Sequence, residues 1–110
     1  MTDLIFEYCK GLPKEERFNL TDQINRSSCS IVSNIAEGSG KRSKLEFAQF
    51  LSTALSSSYE LETQLLICER RNYGDGMLRT VALNTINEIQ KMIFALREKV
   101  VNDTVPTLDS

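Results

Sequence analysis

The chain has 110 residues, 41% of them hydrophobic and 25% charged, with two prolines and five glycines; that balance describes one globular domain rather than a disordered segment. Its formal net charge of −2 argues against a dedicated nucleic-acid binder, and it contains no histidine. The lack of histidine excludes Ser-His-Asp and Cys-His catalysis, the Glu-x-x-His di-iron pattern of metal-binding bundles and HExxH chemistry. The expectation is therefore a non-enzyme with no catalytic residue, no metal site and no cofactor.

Four helical segments follow from the hydrophobic spacing. The first is short: Leu4, Ile5, Tyr8 and Cys9 share a face after Thr2 and Asp3 as candidate caps, and Gly11 and Pro13 stop it. Pro13-Lys14-Glu15-Glu16 then suits the first turn of a new helical piece. The second helix is expected from about Asn19 or Thr21 to Ala36, with Leu20, Ile24, Ser27, Ile31 and Asn34/Ile35 on one face. Its small central residues, Ser27-Ser28-Cys29-Ser30, suit close approach by another helix, and Gly38-Ser39-Gly40 is read as its end with Gly38 at the C′ position.

The third helix is the longest, about Ser43 to Arg71. Phe47, Leu51, Ala54, Ser58, Leu61, Leu65 and Cys68 repeat at steps of 4 and 3, a heptad-like seam with small residues at its centre. Phe50, Leu55, Tyr59 and Leu66 widen the apolar stripe beyond what one partner helix covers. Asn72 to Gly76 is a turn. The fourth helix runs from about Gly76 to Val100, with Ala82, Ile86, Ile89, Ile93, Leu96 and Val100 at the same alternating steps. Residues 1–101 thus predict an all-α, up-down-up-down four-helix bundle, and residues 102–110, which include Pro106, a flexible tail.

The lengths do not match. At 1.5 Å per residue the third and fourth helices reach roughly 35–40 Å and the first roughly 12–15 Å. A short first helix leaves part of the groove between its partners uncovered, and an uncovered apolar patch of that kind marks an interface.

The three cysteines, Cys9, Cys29 and Cys68, form no CxxC pair and are expected as buried free thiols. No apolar run approaches the roughly 20 residues of a membrane helix, and the N-terminus lacks the pattern of a secretion signal, so the cytoplasm is the expected compartment and no membrane partner is expected. Charge is uneven: Lys10–Lys44 holds seven basic and four acidic residues, whereas Leu45–Glu69 holds four acidic and no basic ones.

Three polar sets stand out. Lys41, Arg42 and Lys44 form a basic loop able to contact phosphates of RNA or DNA, although no aromatic residue sits among them to stack a base. Asn34 and Glu37, three apart on the second helix, are read as part of a helix-end network with Gln23, Arg26 or the backbone. Glu60 and Glu62 point in different directions, which argues against a paired-carboxylate site; Glu60 is a candidate partner for Arg26 or Lys44 across an interface.

Leu20–Gly38 and Glu46–Leu65 resemble the family of bacterial four-helix-bundle proteins first noticed as reading frames in intervening sequences of large-subunit ribosomal RNA genes. The most specific segments are Ser30-x-x-Ser33-Asn34-Ile35-Ala36-Glu37-Gly38 and Glu60-Leu61-Glu62-Thr63, with Pro13 to Phe18 as a matching lead-in; the likeness spans about residues 12 to 95. The resemblance implies a four-helix bundle that assembles into a five-membered barrel. One branch, the accessory variability proteins of diversity-generating retroelements, binds a reverse transcriptase and its RNA or DNA through basic surfaces. No catalytic residue carries over. Two departures are visible: the first helix begins about two to three turns late, and the chain is acidic where the retroelement proteins are basic. The expected function is that of an assembly or adaptor protein that self-associates, as a pentameric ring, and binds a partner protein. The alternative is a nucleic-acid-binding accessory protein of a reverse transcriptase.

Overall fold

Alternating steps of three and four between apolar residues place the core of each long helix on one stripe, and the chain folds so that these stripes meet. The computed structural model describes residues 1–104, with α1 at Thr2–Cys9, a 3-10 turn at Lys14–Glu16, α2 at Leu20–Ser39, α3 at Lys44–Arg70 and α4 at Gly76–Thr104. Each helix packs on its neighbours around the bundle, α1 on α2 and α4, and α3 on α2 and α4. No Cα pair comes within 8 Å across either diagonal, between α1 and α3 or between α2 and α4. This is the predicted four-helix bundle.

The α3 seam from Leu51 through Ala54, Ser58, Leu61 and Leu65 to Cys68 is fully buried, and Ala82, Ile86, Ile93 and Val100 answer it from α4. Small residues decide how closely α2 and α3 approach. Ser27, Ser28, Ser57 and Ser58 are all buried, and the Ser30 and Ser57 hydroxyls meet at 2.8 Å between the two helices. These serines are therefore used within the chain and are not available for association with another.

Helix ends differ from expectation in instructive ways. Thr2 and Asp3 lie inside α1, whose N-cap is Met1 without a side-chain bond. The turn after Pro13 stays a 3-10 piece of three residues and does not run into α2. Gly38 is not a C′ residue: α2 continues through it, and the cap is Gly40 with a right-handed φ of −85°. Its reason is packing, because a Cβ at Gly38 would stand 2.6 Å from Phe50 Cβ and 2.9 Å from Phe47 Cδ1 on α3. The Ser43 hydroxyl caps α3 by accepting from the Glu46 N–H at 3.3 Å. Asp75 caps α4, its Oδ1 accepting from the N–H groups of Met77 and Leu78 at 2.8 and 3.1 Å. That last helix runs through Thr104, so 102–104 of the predicted tail are helical and 105–110 lie outside the described residues.

Tyr8 ties α1 to the far turn of the bundle. Fully buried, it donates its hydroxyl to the Tyr73 carbonyl at 2.6 Å, and Arg79 Nη1 donates to the same carbonyl at 2.9 Å. The turn reaches the ring because Gly74 has a φ of +78°, and a Cβ there would meet Tyr8 Cε1 at 2.8 Å.

Candidate functional site

The structure carries its functional signal as exposed apolar surface rather than as a polar cleft. With eight residues, α1 spans about 12 Å, while α4 with 29 spans about 43 Å. Beyond Met1 the space between α2 and α4 has no helix in it. It forms an open groove of about 600 Å³ lined by Met1, Ile31, Val32, Ile35, Leu51, Ile89, Met92, Ile93, Ala95 and Leu96, without a single charged side chain. Met92 and Val32 on its rims are 70% and 49% exposed. The uncovered surface anticipated from helix lengths is this groove.

A second apolar surface runs along the outside of α3. Leu45, Tyr59 and Leu66, with Ser52, recur every seven residues, and the three apolar members are each about half exposed. Phe94 of α4 joins them, lining with Tyr59, Asn87, Gln90 and Lys91 a shallow hollow of about 390 Å³. Tyr59 and Leu66 belong to the set that widens the α3 stripe in the sequence, and the fold leaves both about half exposed, Tyr59 at the edge of α4. Leu55, from the same set, is buried.

The candidate polar residues are dispersed. Arg26 pairs with Asp22 one turn before it at 3.1 Å and does not meet Glu60 within the chain. Glu60 instead accepts from Gln64 Nε2 at 3.4 Å. Asn34 Nδ2 donates to the Ser30 carbonyl at 2.8 Å and to Ser30 Oγ at 3.1 Å. Glu37 is exposed and makes no side-chain hydrogen bond or ion pair among the described residues. Of the expected helix-end contacts Asn34 makes the backbone one, while neither Asn34 nor Glu37 meets Gln23 or Arg26; Gln23 bonds to Asn19 at 3.1 Å. The buried polar link sits one level away, where the Ser27 hydroxyl lies 3.0 Å from Gln64 Oε1. Gln64 is hard to find in the sequence, because only the α2–α3 register shows that it faces a serine.

The basic loop is partly spoken for. Lys44 Nζ lies 3.8 Å from Asp103 of α4, and Lys41 Nζ sits 5.4 Å from the centre of the Phe50 ring. Phe50 is the aromatic neighbour that the local sequence lacks. Arg42 is exposed.

Two of the three cysteines are buried, as expected, but Cys29 is exposed. Position 29 falls off the 24/27/31/35 stripe of α2 and points outward. Burial pushes the Cys9 thiol up to about 11 and raises Cys68 as well. A Cys9–Cys68 disulfide is excluded in this fold, since α1 and α3 stay more than 8 Å apart at Cα and a disulfide needs less than about 7 Å. An aromatic disulfide reagent at pH 8 is expected to label one thiol rapidly in the native protein and all three after unfolding. The same burial predicts loss of stability in alkali. The unfolded Cys9 thiol ionises near 9.0 and the folded one near 11, so the folded chain retains the proton across that window and stability falls as pH rises through it. Tyr8, pushed by burial from 10.0 to about 12, extends the loss upward. Urea midpoints measured between pH 8 and 11 check this.

Among the described residues no group of three His, Cys, Asp or Glu is placed to hold a metal ion, and no helix is long and apolar enough to cross a membrane. The geometry defines a small helical-bundle protein with unpaired apolar faces. The chain belongs to the 23S rRNA-intervening sequence protein family, whose profile matches residues 1–95 and so includes α1. It is similar to a protein of unknown function from the S23 ribosomal protein family of Bacteroides thetaiotaomicron, known from its crystal structure. The two share 28% sequence identity at a TM-score of 0.73, over 87% of this chain and 96% of that one. No protein of curated function matches the sequence.

Proposed function

We propose that this protein is a non-enzymatic assembly or adaptor component of the cytoplasm, which self-associates into a ring of five and binds a partner protein. The observation that carries the reading is the pair of apolar surfaces left uncovered by the bundle: the groove beyond α1 and the Leu45–Tyr59–Leu66 stripe with Phe94. Contiguous exposed apolar surfaces of this kind are where proteins associate. A closed ring needs two different patches in contact around an axis, and the α3–α4 outer face supplies one of them. The number five rests on the family resemblance alone.

The test is light scattering coupled to size exclusion, on the wild type and on a double variant, Tyr59→Glu with Leu66→Glu. Both side chains are about half exposed, so the variant retains its core. The wild type is expected at about five times the 12.5 kDa chain mass and the variant at one chain. A wild type that elutes as a single chain at every concentration rejects the reading.

Nucleic-acid binding, alone or beside a reverse transcriptase, ranks second. The closeness of Lys41 to the Phe50 ring favours it, by adding an aromatic to the loop. The Lys44–Asp103 pair and the net charge of −2 oppose it. Single-stranded RNA binding at two salt concentrations decides, with Lys41→Ala and Arg42→Ala as controls.

A further inference from the structure

We infer that the hollow between α3 and α4 is a carboxylate receptor, and that Glu60 of a second copy of this chain fills it. The inference deepens the assembly reading and rests on its claim of self-association, for which it supplies the second patch that a closed ring requires. The hollow's chemistry selects the head group of its occupant. Tyr59, Asn87, Gln90, Lys91 and Phe94 line it, with no carboxylate among them. Gln90 Nε2 is already engaged, donating to Glu62 at 3.3 Å. The Tyr59 hydroxyl, the Asn87 amide and the Lys91 ammonium have no hydrogen-bond or ion-pair partner among the described residues, and all three side chains are exposed. A cation, a phenol and an amide around one hollow can each donate to an ionised carboxylate.

Level and direction select Glu60. It is exposed, has no ion pair among the described residues and accepts only from Gln64 at 3.4 Å. Copies standing parallel to a ring axis are related by rotation without rise, so the two halves of each contact lie at one level along the bundle. Glu60 follows Tyr59 in the chain and so shares the hollow's level, whereas Glu46 lies about 21 Å away along α3. The turn between copies comes from α3 itself. Consecutive residues of an α-helix point about 100° apart. The two contacts made by each member of a ring of five point about 108° apart, and those in a ring of four about 90°. Leu45, Ser52, Tyr59 and Leu66 form one seven-residue series on α3, and Glu46, Thr53, Glu60 and Ile67, all exposed, form the next one round. A seven-residue spacing on both partners suits two helices packed in parallel, the arrangement that a cyclic ring imposes on equivalent helices. Each α3 thus seats its Tyr59 series on the Glu60 series of the next copy, and α3 lines the bore.

The test joins carboxylates to amines directly. Full chains with and without nitrogen-15 label are mixed in urea, refolded together and treated with a zero-length carbodiimide. Mass spectrometry is expected to find an amide between a Glu60 peptide and a Lys91 peptide of opposite label. In light scattering, Lys91→Glu and Glu60→Lys are each expected to lower the mass from about five chains to one, and the two combined to restore it. Both side chains are exposed, so unchanged thermal melts show that the variants fold. Glu88→Lys is the control: Glu88 lies within a turn of Lys91 and is also exposed, and its reversal is expected to leave the mass unchanged. A wild type that assembles but is indifferent to both reversals, or gives no such crosslink, overturns the receptor and keeps the ring. Assembly lost in Lys91→Glu and kept in Glu60→Lys assigns the hollow to a different acid and also overturns the pairing. A mass of two chains does the same, because a two-fold contact is not the turn that Tyr59 and Glu60 impose. A wild type of one chain throughout rejects the ring reading itself, and the receptor with it.

Discussion

Tyr8→Ala is expected to destabilise the bundle by about 3–5 kcal/mol, the range for deleting a large buried aromatic side chain. Tyr8 heads the fully buried side chains by volume, and it occupies the point where α1 meets the α3–α4 turn. Two losses combine there. The ring leaves a cavity against Gly74, whose positive φ of 78° positions the turn against that ring. The hydroxyl bond to the Tyr73 carbonyl is also lost, but Arg79 still donates to that oxygen at 2.9 Å. Tyr8→Phe therefore isolates the smaller part, about 1 kcal/mol, because the acceptor is not left bare. Most of the cost belongs to packing. Urea unfolding of the two variants beside the wild type measures the division, and similar losses in both would reassign it to the hydrogen bond.

Gly38→Ala is expected to destabilise by about 1–3 kcal/mol, although helix propensity alone predicts a gain of up to roughly 1 kcal/mol inside a helix. The sign depends on what the new methyl group meets. Its nearest neighbour is Phe50 Cβ at 2.6 Å, an atom fixed to the α3 backbone that no rotamer change can move aside. Phe47 Cδ1 at 2.9 Å can swing away; Phe50 Cβ cannot. The helices must separate locally, and the contact between the end of α2 and the start of α3 loosens. A stabilised Gly38→Ala variant in urea unfolding would mean that the two helices are further apart than described.

Gly38 also shows where sequence reasoning stops. A glycine after an amphipathic run satisfies the local rule for a helix end, and nothing within a few residues contradicts it. The contradiction comes from Phe47 and Phe50, nine and twelve residues on, after the chain has turned. The long seams were legible because large residues at a period of 3.5 leave only one face to bury; the α3 residues from Leu51 to Cys68 sit where that period puts them. The open groove was legible too, as an arithmetic of helix lengths. The polar contacts were not. Gln64 meets Ser27, Lys44 meets Asp103 and Lys41 meets Phe50 because of register between helices, which no single helix pattern contains. Cys29 was misjudged for the opposite reason: its small neighbours suggested burial, while its angular position pointed outward.

The apolar surfaces remain the common thread. The α3 stripe and the groove are both uncovered in the single chain, and both lie on long, regular helices rather than on loops. Such surfaces are preformed, so association requires little ordering of the backbone and is expected to withstand dilution. Salt is expected to affect it weakly, since the residues on these faces are largely uncharged.

Sedimentation equilibrium of the wild-type chain over a wide range of concentrations tests that account most directly. A single species at about five times the 12.5 kDa chain mass, unchanged by dilution and by salt, is the predicted result. A mass of one chain throughout would contradict it.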